Sequence, residues 1–147
     1  MRTFALHIAT IIGSLALSPM SHAKEISVKE LVPGYIAIQE ALTADDFSLA
    51  QTKAKELEKQ TKNTKGKELK ALSASLSSFQ KAKSISDARK EFKKLSTPFV
   101  KWMESSKDSN FEVVYCPMAG AKWVQKKGEV SNPYFGKEML HCGEKAS

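Results

Sequence analysis

The stretch Ser84-Ile85-Ser86-Asp87-Ala88-Arg89-Lys90-Glu91-Phe92-Lys93-Lys94-Leu95-Ser96-Thr97-Pro98-Phe99-Val100-Lys101-Trp102 decides the fold. Its apolar residues Ala88, Phe92, Leu95, Phe99 and Trp102 recur at steps of four, three, four and three, which puts them on one face of a helix. Ser84-Ile85-Ser86-Asp87 opens that helix, and Pro98 is expected to kink it. Upstream, Leu69, Leu72, Leu76 and Phe79 form an earlier stripe behind the turn Asn63-Thr64-Lys65-Gly66. Before that come Phe47, Ala50, Ala54 and Leu57, opened by Thr43-Ala44-Asp45-Asp46. Thr43 is the expected cap there, with Asp45 and Asp46 at the positive end of the helix dipole. Leu31, Tyr35, Ile38 and Leu42 make the first stripe. Ser27 and Glu30 have capping-box spacing, so Pro33 either marks the true start of this helix or kinks it. All four stripes read as core packing. Short connections between amphipathic helices favour antiparallel neighbours. The expected fold is therefore mostly α, an antiparallel bundle of about four helices, followed by an irregular or short-strand Cys/Met region over 111–144.

Outside the bundle, the N-terminus reads as a secretory signal peptide over 1–23. Arg2 supplies the positive region, Phe4 to Leu17 the short apolar run, and Ser21-His22-Ala23 the cleavage site. The remaining chain, 24–147, is expected to be a single periplasmic domain with no membrane insertion after cleavage, since no other long apolar run exists. Of the 147 residues 41 % are hydrophobic and 27 % charged, which excludes collagen-like, disordered and multi-span membrane classes. Two cysteines exclude a disulfide-dense scaffold. The net charge of +7 comes almost wholly from lysine. Those lysines are interleaved with glutamate, as at Lys53, Lys55, Glu56, Glu58 and Lys59. That is a solvated surface with weak attraction for anionic partners or lipid headgroups, and no nucleic-acid site is expected. The sequence has no phosphate loop, no H-E-x-x-H and no G-x-S-x-G, and the adjacent His141 and Cys142 lack an orienting third group. No catalytic role is expected.

After Asp108 the character changes. Phe111-Glu112-Val113-Val114-Tyr115 favours a strand, and Pro117, Gly120, Gly128, Gly136 and Gly143 punctuate the rest of the chain. Both cysteines lie here with Met118, Met139 and His141. Pro117 biases Cys116 towards an extended conformation, in which Cys116 and Met118 would share a face. In a helical turn Met139 and Cys142 share a face; in a strand Met139 and His141 do. The turn signal Asn132-Pro133 can fold the chain back so that the two clusters meet. Thiolate and thioether donors suit Cu(I) or Ag(I), whereas Zn more often takes four Cys or His. Equally, two cysteines of an exported protein usually join, and the 25 residues between Cys116 and Cys142 make an ordinary disulfide loop. The methionines would then fill core and His141 would sit at the surface.

The strings Tyr115-Cys116-Pro117-Met118-Ala119, Gly120-Ala121-Lys122-Trp123, Asn132-Pro133-Tyr134-Phe135-Gly136 and Met139-Leu140-His141-Cys142-Gly143 are distinctive. They resemble a family of bacterial domains of unknown function. These occur alone or at the C-terminus of periplasmic adaptor subunits of copper/silver (heavy-metal) RND efflux systems. Ala41-Leu42 through Asp45-Asp46-Phe47 with Ala50, and Arg89 with Phe92 and Leu95-Ser96, are similar to the same family's second-helix opening and last helix. The resemblance implies a helical bundle with a metal-associated C-terminal motif, Cu(I) or Ag(I) as the ion, and a periplasmic metal-efflux component as partner. Carried over by motif, the ligands it implies are Cys116, Met118, Met139 and Cys142. The chain departs from the family pattern in being shorter between Ala119 and Trp123 than many relatives and in lacking a histidine between Lys65 and Lys83. It is expected to act without an adaptor's hairpin, lipoyl and barrel domains. The expected role is to buffer a soft ion or pass it on; the alternative is a non-catalytic periplasmic interaction module with a Cys116–Cys142 disulfide.

Overall fold

Ser27 starts the first helix, α1 (Val28–Thr43): its amide donates to the Glu30 carboxylate at 2.9 Å. In the computed structural model, which describes residues 26–62 and 66–146, α1 begins well ahead of Pro33 and carries it inside. Pro33 is exposed, and the Lys29 carbonyl that it deprives of a donor lies in the exposed first turn, where water can serve it. The expected signal peptide, and Asn63, Thr64 and Lys65 of the expected turn, lie outside the described residues.

The second helix, α2 (Phe47–Thr61), corrects the expected cap. Asp46, not Thr43, is the N-cap, accepting from the Leu49 amide at 2.8 Å. Thr43 instead closes α1, its hydroxyl donating to the Gln39 carbonyl at 2.9 Å. The third helix, α3 (Lys67–Gln80), buries Leu69, Leu72, Leu76 and Phe79 as the spacing predicts. The fourth, α4 (Ile85–Ser106), is capped by Ser84, whose hydroxyl accepts from the Asp87 amide at 3.1 Å. It continues through Pro98 and stops at Lys107 in a left-handed conformation (φ 51°).

The helices follow one another around the bundle, α1 beside α2 and α4, α3 between α2 and α4. Gln51 at the start of α2 bonds to the Ala82 carbonyl just beyond α3, as antiparallel neighbours require. At the centre Tyr35 stacks on Phe92 and Phe99 at centroid distances of 5.2 and 4.1 Å. Trp102 lies at the margin, edge-on to Phe111.

A small antiparallel sheet covers α4 and α1. Strands β1 (Phe111–Cys116), β2 (Ala121–Lys126) and β3 (Glu144–Lys145) lie in the order β2-β1-β3. One buried chain of hydrogen bonds ties the layers together: the Val124 amide donates to Tyr35 Oη (3.2 Å), Tyr35 to Ser96 Oγ (2.9 Å), and Ser96 to the Phe92 carbonyl (2.9 Å). Burial holds the Tyr35 phenol far above the ordinary tyrosine range, so it stays a neutral donor. Among the described residues no helix is long and apolar enough to cross a membrane.

Candidate functional site

Cys116 ends β1 with its side chain fully buried. The chain then reverses: the Gly120 amide bonds to the Pro117 carbonyl at 3.1 Å, and Cys116 pairs with Ala121 across the hairpin. In this turn the Ala119 amide points at Cys116 Sγ, 3.3 Å away.

Cys142 reaches the same place by a longer route, fixed by three devices. Asn132 is fully buried. Its side-chain oxygen accepts from the Tyr134 amide (2.8 Å), its side-chain nitrogen donates to the Cys142 carbonyl (2.6 Å), and its own amide bonds to the Leu140 carbonyl (2.8 Å). Arg89 donates to the Pro133 carbonyl (3.0 Å), the Leu42 carbonyl (2.9 Å) and the Asp45 carboxylate, while Asp45 also accepts from the Lys137 amide (3.2 Å). The Arg89 hydrogen bond holds the Asp45 carboxyl below the usual carboxylate range. Gly136 passes directly over this pair with φ 58°, where a Cβ would collide with Asp45 and Arg89. Finally Gly143 lies against Trp123 and Val114, each of which would be 2.8 Å from a Cβ placed there.

The result is a dithiol. Cys116 Sγ and Cys142 Sγ stand 3.8 Å apart as separate thiols, Cys116 buried and Cys142 half-buried. Removal from water, then contact with Cys116, pushes the Cys142 thiol above its ordinary range. Two metal–sulfur bonds of about 2.3 Å span the 3.8 Å gap at an S–metal–S angle of about 110°. The separation of the two sulfurs is therefore one that a pair of metal–sulfur bonds can span.

The methionines are placed differently. The expectation that Met118 shares a face with Cys116 is corrected: β1 ends at Cys116, and the turn carries Met118 out to 69 % exposure. There it borders a cavity with Lys93, Tyr134 and Glu138. Met139 is half-buried at the end of a short 3-10 helix (Gly136–Met139). The Cys142 amide bonds to the Met139 carbonyl at 3.0 Å, closing the kind of turn in which side chains three apart align. Exposed His141 donates from Nδ1 to the Val130 carbonyl at 2.9 Å. Among the described residues no three His, Cys, Asp or Glu side chains gather in a way that could hold a metal.

Sequence reasoning misses the Arg89–Asp45 anchor and the seat of Gly143. Local spacing assigns Asp45 to a helix dipole, yet its positive φ (62°), unusual for a side-chain-bearing residue, points it away from α2 and towards the tail. No curated protein and no solved structure matches the chain. One family model, described as a protein of unknown function (DUF3347), matches residues 31–110. The matched span runs from Leu31 in α1 to the residue before β1, so Cys116, Met118, Met139 and Cys142 lie beyond it. With more than half of its length matched, the chain belongs to the DUF3347 family.

Proposed function

We propose that this chain is an exported, periplasmic protein that binds one Cu(I) or Ag(I) ion at the Cys116–Cys142 dithiol and buffers it or hands it to a metal-efflux component. It has no catalytic role. The observation that carries this reading is the 3.8 Å separation of two thiols brought together from the ends of a 25-residue excursion. Soft sulfur donors favour Cu(I) over harder ions. Met139, one turn before Cys142, is the supplementary donor proposed, and exposed Met118 is the one a partner reaches first. Binding converts both thiols to thiolates and releases their protons, so affinity falls as the pH is lowered.

The test is competition by fully reduced protein for Cu(I) held by a chromogenic chelator. About one ion per chain is expected. Cys116→Ser and Cys142→Ser should each abolish high-affinity uptake, and Met139→Leu should weaken it less. Absence of uptake by reduced protein overturns the reading. Export is tested separately: mass spectrometry of the secreted form should find Lys24 at the N-terminus.

The burial of Cys116 favours a second reading, an interaction module closed by a Cys116–Cys142 disulfide. Bond formation needs the sulfurs to approach by about 1.8 Å from 3.8 Å. Protein isolated without thiols that stays inert to Cu(I) after reduction would support it.

A further inference from the structure

We propose that the Cys116–Cys142 dithiol reduces small disulfides in a fixed order, in which Cys142 attacks the incoming disulfide and Cys116 resolves the adduct. The sulfurs are those of the metal reading, and only the consequence for a bound ion rests on that reading.

Access sets the order. Cys116 is fully buried at the end of β1, whereas Cys142 is half-buried in the segment between the 3-10 helix and β3. Its chain neighbours are exposed His141 and half-buried Gly143, with exposed Glu144 beyond. A disulfide arriving from solvent therefore meets Cys142 first, since exchange needs a sulfur that the reagent can reach. Removal from water, then contact with Cys116, makes Cys142 hold its proton more tightly than a free cysteine does. The first step is accordingly slower than with a free cysteine, and the order follows from access, not acidity.

Distance sets the second step. The sulfurs stand 3.8 Å apart, and a disulfide bond of about 2.05 Å leaves Cys116 Sγ only about 1.8 Å to cover in displacing a group carried by Cys142. The Ala119 amide, 3.3 Å from Cys116 Sγ, and the pairing of Cys116 with Ala121 fix that sulfur beside its target. On the other side Asn132 holds the Cys142 carbonyl at 2.6 Å. Resolution is thus an intramolecular step between two anchored residues, and it outruns attack by a second chain.

In the first exchange the Cys142 thiolate bonds to one sulfur of R–S–S–R, the S–S bond breaks, and the other sulfur leaves as RS⁻. Cys116, having given up its proton, then bonds to Cys142 Sγ and expels the second RS⁻. Two electrons pass from the dithiol to the external disulfide, and the two thiol protons end on two molecules of RSH. The protein is a stoichiometric reductant, spent after one round. Once the sulfurs are joined, neither thiolate remains to hold Cu(I) or Ag(I).

The test mixes metal-free, fully reduced protein with dithiobis(nitrobenzoate), a small disulfide whose released thiol is coloured. Two coloured thiols per chain are expected, with no lasting adduct in the mass spectrum and a second release whose rate does not change with protein concentration. Cys116→Ser should release one and keep the adduct on Cys142, while Cys142→Ser should react about tenfold or more slowly. Limiting iodoacetamide, whose adduct cannot be resolved, should label Cys142 before Cys116 in the unmodified chain, which needs no variant. First labelling of Cys116, two lasting adducts per chain, or a disulfide-linked dimer overturns the proposal. Cu(I) uptake takes no part in these readouts: ordered exchange without uptake overturns the metal reading alone, and uptake without ordered exchange overturns this one alone.

Discussion

Replacing Gly143 with Ala should loosen the dithiol and destabilise the fold together. A Cβ there stands 2.8 Å from Trp123 Cη2, 2.8 Å from Val114 Cγ1 and 3.2 Å from Val130 Cγ1. Trp123 and Val114 are fully buried, so displacing either one would disturb the packed core. Comfortable carbon contacts begin near 3.5 Å, so the segment around Cys142 must retreat by about 0.7 Å. Over-packing of this kind costs about 1–3 kcal/mol, and the stiffer unfolded chain returns about 0.4–1 kcal/mol, leaving a net loss of about 1–2 kcal/mol. The same retreat, taken along the line of the sulfurs, moves them from 3.8 Å to about 4.5 Å, close to the roughly 4.6 Å limit that two collinear metal–sulfur bonds span. Holding an ion then requires either a nearly linear sulfur–metal–sulfur arrangement or pulling the segment part of the way back, with an expected weakening of Cu(I) binding of about tenfold. Urea unfolding followed by tryptophan fluorescence measures the first effect and chelator competition the second. Parental stability would refute the packing argument. Lost stability with unchanged Cu(I) affinity would refute the link between Gly143 and the thiol spacing.

Tyr35→Phe should cost about 1–3 kcal/mol in denaturant unfolding, because it leaves the buried Val124 amide without its acceptor. Asp45→Asn should be less stable than the parent at neutral pH. Since the folded carboxyl is held below the ordinary 3.8, the advantage of the parent is present above that value and fades as the pH falls through the lower folded value; an advantage that instead grew in acid would contradict the Arg89 assignment. Phe92→Ala should cost about 3–5 kcal/mol, whereas half-buried surface Lys53→Ala should stay within about 0.5 kcal/mol, as thermal or urea melts can compare directly.

The helices are legible in the sequence because each buries one face, and burial of one face writes a period into the chain. Boundaries are less so. Thr43 and Asp46 are both good caps, and only the continuation of α1 to Thr43 decides between them. Strand β1 announces itself through Val113, Val114 and Tyr115, but β2 does not. Its buried Gln125 breaks the apolar pattern and is accommodated by distant partners, Glu112 and the Ser131 amide among them. At the site, Asn132-Pro133 signals the return of the chain. The convergence of the cysteines also depends on Arg89 and Asp45, 44 residues apart, and no local spacing encodes that. The rule that places Met118 beside Cys116 holds only while the strand lasts.

Arg89 also has a meaning in time. It gathers Leu42, Asp45 and Pro133, from segments that lie 44 to 47 residues away along the chain. Closing such long loops is slow relative to forming the β1–β2 hairpin, whose strands are neighbours. Pro133 can be captured in its final setting only once the corner between α1 and α2 has met α4. The two sulfurs are therefore expected to become neighbours late in folding, which pulsed thiol labelling during refolding would measure. Before then each thiol is open to chemistry with other molecules; afterwards Cys116 is sealed, and Cys142 alone remains as the way in.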